Sequence, residues 1–94
     1  MKNGLKAHSC SILAHMQGTL HRYVEIDPSK YEGKPVIVGT RIPVQALVMH
    51  YRSGMPLDEI LEGYPNITSA QLFDALSYYF DNKAAIDADM ASVG

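Results

Sequence analysis

The chain predicts a mainly α fold, in which a short N-terminal β hairpin precedes a three-helix helix-turn-helix bundle and a C-terminal helical extension. Three observations predict it. The β-branched run Val36-Ile37-Val38 is bounded by Pro35 and Gly39, the apolar period becomes helical from Val44 onward, and Thr68 with Gln71 forms a helix-start signal.

Ninety-four residues suit one small domain, whose core alone gives marginal stability, so oligomerisation is expected. The boundaries read as an arm over residues 1–21 and a domain over 22–94. Within the domain, 22–43 is a β element, 44–83 the helix-turn-helix and 84–94 the extension. A composition of 47% hydrophobic and 19% charged residues without low-complexity blocks is that of a globular chain. Eight Lys and Arg against ten Asp and Glu give a net charge of −2, which provides no global field to attract nucleic acid. DNA binding would need a local patch. The single cysteine, Cys10, excludes an intrachain disulfide framework, and no apolar run is long enough to span a bilayer, so a cytoplasmic protein is expected.

Residues 1–21 mix Lys2, Lys6, His8 and His15 with scattered apolar positions and are interrupted by Gly4 and Gly18. They read as an appended, partly ordered arm. His8, Cys10, His15 and His21 lack the i, i+4 or Cys-x-x-Cys spacing of a zinc site, so no metal is expected. Tyr23-Val24-Glu25-Ile26 alternates as a short strand, and Asp27-Pro28-Ser29 turns it. Val36-Ile37-Val38 is the second strand, Gly39-Thr40-Arg41 a turn, and Ile42 is extended because it precedes Pro43. Strands this short must lie on the helices or pair with a second copy.

Val44, Leu47, Val48 and Tyr51 form an apolar stripe, with Gln45, His50 and Arg52 facing away. Gly54 is placed to end this helix in the left-handed conformation. A short second helix follows Pro56, carries Asp58 and Glu59 in its first turn, buries Ile60 and Leu61, and ends before Pro65. In the third helix Thr68 and Gln71 form a capping box, with Ile67 and Leu72 as its hydrophobic staple. Leu72, Ala75, Leu76 and Tyr79 make its buried stripe, flanked by Phe73 and Phe80. Asn82 ends or kinks it, and Ile86 and Met90 mark a further helical segment.

The order of these three helices is that of a helix-turn-helix unit, whose last helix would enter a major groove. Its outward face reads as Ser69, Asp74, Ser77, Tyr78 and Asp81, without a cation until Lys83. That face is either a base-reading surface, with Ser69, Gln71 and Tyr78 as contacts, or a packing and partner surface. Lys34 and Arg41 are either solvated hairpin charges or contacts to an anion or partner. Gly33-Lys34 is not a P-loop, because Pro28 and Pro35 replace the required glycine and hydroxyl residue. No catalytic frame is recognisable, so no enzyme activity, cofactor or small-molecule substrate is expected.

The run Gly33-Lys-Pro-Val-Ile-Val-Gly-Thr-Arg-Ile-Pro-Val44, then Gly54 with Asp58-Glu59-Ile60-Leu61, Tyr64-Pro65-Asn66-Ile67-Thr68 and Ala75-Leu76-Ser77-Tyr78-Tyr79, resembles the domain-of-unknown-function 433 family. The likeness runs from about Tyr23 to Met90. Gly33, Pro35, Gly39, Thr40, Pro43, Gly54, Pro65 and Thr68 are its structural positions. The resemblance implies a homeodomain-like helix-turn-helix, a homodimer, and an antitoxin of the VapB kind. Such an antitoxin silences a PIN-domain ribonuclease toxin and binds its own operator DNA. The alternative is a stand-alone dimeric interaction module. Pro56 stands where relatives often carry a Ser or Thr cap, which leaves the start of the second helix open.

Overall fold

The computed structural model describes residues 20–93, so readings that fall on residues 1–19 lie outside the described residues. Strand β1 (Val24–Glu25) pairs antiparallel with β2 (Val36–Ile37), Val24 opposite Ile37 and Glu25 opposite Val36. The fold is mainly helical beyond it, with α1 (Val44–Arg52), α2 (Leu57–Gly63), α3 (Ser69–Asp81) and α4 (Lys83–Val93).

Thr40 explains the hairpin's tight return. Its hydroxyl donates to the Ile37 carbonyl at 2.9 Å and accepts from the Ile42 backbone N–H at 3.0 Å, while Gly39 takes a positive φ of 78°. The chain then runs back along β2: Ile42 accepts from the Ile37 N–H, and Pro43 bridges to Val36. Pro43 needs no donor on its open side, and its φ of −72° leads into α1. β2 is thus paired on both sides. Val38 lies beyond the strand, in the turn, and is exposed.

Between the strands, Tyr31, Glu32 and Gly33 take positive φ in succession (47°, 57° and 78°), forming a single 3₁₀ turn. For the first two residues this is costly backbone, on the order of 1–3 kcal/mol each. The hairpin does not need a second copy for support. β1 lies against α3 and β2 against α1, and Val24, Val36 and Ile37 are buried.

In α1, Val44, Leu47 and Val48 are buried as the stripe requires, but two expectations fail. Gln45 is only 8% exposed, because β2 lies against α1 and Pro35 accepts the Val44 N–H at that helix's first turn. Tyr51 is 38% exposed, because it sits at the rim, edge-on to the half-exposed Phe80, and does not enter the core. Gly54, at φ 91°, ends α1 in a Schellman motif: its N–H donates to Tyr51 and that of Met55 to His50.

Helix α2 starts at Leu57 with Pro56 in the cap position, so no side chain caps it and Pro56 contributes only its carbonyl to Glu59 and Ile60. Asp58, Glu59 and Glu62 form an exposed acidic face. The capping box opening α3 is complete: Thr68 accepts from the Gln71 N–H at 3.1 Å, and Gln71 accepts from the Thr68 N–H at 2.7 Å. Ile67 and Leu72 are both buried beside it.

Asn82 separates α3 from α4, and its side-chain amide donates to the Tyr78 carbonyl. Ile86 anchors α4 in the core. Asp87 then ties three helices together, accepting from the Tyr79 hydroxyl at 2.8 Å, Lys83 at 2.9 Å and Arg52 at 3.1 Å. Those bonds, Lys83 first and Tyr79 next, hold its carboxyl below the usual range, although partial burial opposes them. No described helix is long and apolar enough to cross a membrane.

Candidate functional site

Helix α3 is the element with most claims on it, and its sides differ. The buried side is the expected stripe of Leu72, Ala75, Leu76 and Tyr79. The outward face that the sequence suggests divides into two further sides.

The first is covered by the start of the domain. Asp74 accepts the Tyr23 backbone N–H at 2.7 Å through one oxygen and faces His21 Nδ1 at 3.1 Å through the other. The second ring nitrogen of His21 faces Asp81 at 2.8 Å. Burial lowers the pKa of His21 as the largest single influence, but the hydrogen bonds and charges of Asp74 and Asp81 together outweigh it. The net shift is upward, which favours an imidazolium donating to both carboxylates. Tyr78 completes this contact, with its ring edge-on to His21 at 5.4 Å. At 9% exposure Tyr78 is not the outward contact the sequence suggested, and burial pushes its hydroxyl pKa up.

The other side of α3 is open and carries Ser69, Phe73, Ser77 and Phe80. Both phenylalanines are about half exposed, at 53% and 52%. Gln71 is occupied by the capping box, so of the three suggested base contacts only Ser69 remains open.

Lys34 and Arg41 also separate. Lys34 pairs with Asp89 of α4 at 3.3 Å and lies over the Tyr31 ring, so it fastens the hairpin to α4. Arg41 is exposed and forms no ion pair among the described residues. It lies near enough to Asp27 to help lower that carboxyl's pKa, which the Ser29 backbone N–H and hydroxyl lower more. The second such cation is Arg22, exposed and 5.2 Å from the Tyr23 ring. Register brings the backbones of the two to one end of the hairpin, since Val38 donates to Tyr23 and Arg22 lies one residue beyond that pair. Lys30, Arg52 and Lys83 are all paired, with Glu25, Asp87 and Asp87 respectively.

A shallow cleft of about 450 Å³ runs between the hairpin and α4, lined by Ile26, Pro35, Tyr78, Asn82, Ile86 and Asp89 among others. Among the described residues no group of three His, Cys, Asp or Glu side chains is arranged to hold a metal. His8, Cys10 and His15 lie outside the described residues.

Sequence reasoning missed His21 as the partner of Asp74 and Asp81, and Arg22 as an exposed cation without an ion pair among the described residues. The Asp74–Asp81 spacing of i, i+7 on α3 was the available signal, because it places two acids two turns apart along one edge. Nothing local pointed to a histidine 53 residues upstream.

A β hairpin capping a bundle of four helices, with its charges and aromatic surfaces on separate sides, is the architecture of one small, mainly helical domain. The model of the DUF433 family, described as a protein of unknown function, matches residues 24–79, and the chain belongs to that family. It is similar to a crystal structure of a DUF433 member protein from Anabaena variabilis ATCC 29413. The likeness is at 31% identity with a TM-score of 0.71, over 97% of this chain and 86% of that one. No curated protein matches.

Proposed function

We propose that this chain is a non-catalytic, antitoxin-like protein of a type II toxin-antitoxin pair, which binds a PIN-domain ribonuclease toxin by presenting cations to its acidic metal-binding cluster. The observation that carries this reading is where the cations without an ion pair among the described residues fall. Arg22 and Arg41 share one end of the hairpin, and the first carboxylate in the chain is Glu25, so residues 1–24 contribute Lys2, Lys6 and Arg22 without an acid. The planar guanidinium groups would offer an acidic partner paired contacts to its carboxylates.

Operator DNA finds less support. The open side of α3 has hydroxyls and rings but no cation, and specific binding usually draws on several phosphate contacts. Any operator contact would use the Arg22–Arg41 end, with a steep loss of affinity as salt rises.

The test is co-purification with a PIN-domain protein encoded beside this chain, followed by Arg22→Glu/Arg41→Glu. The expected result is a stable complex, relief of the neighbour's toxicity, and roughly 100-fold weaker binding by the double variant. A neighbour whose toxicity is unaffected, or a double variant that binds as the parent does, overturns the reading.

A further inference from the structure

The open strip on α3 is a surface separate from the arginine end. Phe73, Ser77 and Phe80 follow i, i+4, i+7, so they lie along one helical face, and Tyr51 of α1 sets its ring edge-on to Phe80 at 5.9 Å. None of the strip's residues on α3, Ser69, Phe73, Ser77 and Phe80, carries a charge. His21 and Tyr23 join α3 through Asp74, outside it.

The strip is also self-complementary. A bulky ring stands at each end and the small Ser77 lies between them, and this order reads almost the same in both directions along the helix. The rings are seven residues apart, about 10 Å along the axis. A second α3 laid antiparallel, with a two-fold axis beside Ser77, would therefore place each ring against the other kind and serine near serine. An acidic or basic partner would find no counter-charge here, whereas an identical strip matches it in shape and neutrality.

We propose that this strip is the interface of a two-fold homodimer, in which α3 lies antiparallel on α3 of a second copy and Phe73 meets the partner's Phe80.

The area fits a modest dimer. Half of a phenylalanine side chain is about 100 Å², so Phe73, Phe80 and Tyr51 of both copies supply roughly 550 Å². Ser69, Ala70, Ser77 and the helix backbone bring the total toward about 1,000 Å², the lower edge of a specific interface. An interface this small suits a weak, reversible dimer. This arrangement places α3 against a second protein chain instead of in a DNA groove and leaves the Arg22–Arg41 end outside the interface.

The test is sedimentation velocity on the full chain across the micromolar range, with Phe73→Asp and Phe80→Asp as variants. A concentration-dependent dimer is expected, weakened about tenfold or more by either substitution, with an unchanged circular dichroism spectrum. Should either variant lose its fold, Ser77→Cys in a Cys10→Ser background decides instead: oxidation should yield a folded, disulfide-linked dimer. A chain that stays monomeric throughout, one that forms open higher oligomers, or a dimer indifferent to Phe73 and Phe80 overturns the proposal. So does a Ser77→Cys chain that fails to cross-link.

Discussion

Phe73 and Asp74 are neighbours on α3 with inverted fates. The apolar residue stands in solvent and the acid is mostly covered, holding a backbone N–H and an imidazole. The periodicity of α3 shows only which residues face α1, and it finds that stripe correctly. It says nothing about what covers the remaining sides. Asp74 is covered because His21 and Tyr23 return to it from 53 and 51 residues away, whereas Phe73 stays half exposed among the described residues.

The largest effect that tests this contrast is Asp74→Ala. Its side chain is 21% exposed, and its loss strands the Tyr23 N–H and one side of His21, so a cost of about 2–3 kcal/mol is expected. Phe73→Ala, measured in dilute solution where the chain is a monomer, should stay within about 0.5 kcal/mol. Urea denaturation of both variants checks the pair. Comparable losses would mean that the two sides of α3 do not differ as their burial says.

What was readable from the residues alone follows the same division. Local chemistry was readable: Gly54 after the first helix, the break at Asn82 and the Thr68–Gln71 box each depend on a few consecutive residues, and each is present. The mainly α architecture and the family likeness came from such pieces, and the structure and the family match agree with them. Contacts between distant segments were not readable. Tyr78 lies off the core stripe of its own helix, yet the hairpin and His21 bury it. Lys34 reads in the sequence either as a solvated charge or as a contact to an anion or partner, because its partner Asp89 lies on α4, far along the chain. Gln45 was read as outward because no pattern within α1 reveals that the hairpin covers its first turn.

A smaller effect isolates the part that local sequence does specify. Thr68→Ala removes the acceptor for the Gln71 N–H and should cost about 1 kcal/mol. Gln71→Ala removes the reciprocal bond to the Thr68 N–H. Because each side chain holds the other's backbone in place, the double variant should lose less than the two single losses together. A strictly additive cycle would mean that the two bonds act independently.

The smallest effect concerns the covered side alone and is read through pH. His21 has a raised pKa in the folded chain, so the native state holds a proton there that the unfolded chain has begun to release above about 6.5. Stability from this contact is therefore complete below that value and declines as pH rises through the higher folded pKa. Tyr78, whose ring faces His21, has its own pKa raised by burial and remains neutral across this window. Asp81 is 66% exposed, so solvent screens its share and Asp74 supplies the better shielded partner. His21→Gln should lower stability at pH 6 and flatten the decline above it. Phe73→Ala should leave that decline intact, since no titrating group in this contact touches the open strip. Asp87, with its depressed carboxyl, acts at the opposite end of the scale: its contribution is present above the ordinary carboxylate value and is lost only as pH falls through the lower folded one. Stability that rose between pH 6.5 and 8.5, or a decline unchanged in His21→Gln, would show that the imidazolium does not hold the first residues of the domain to α3.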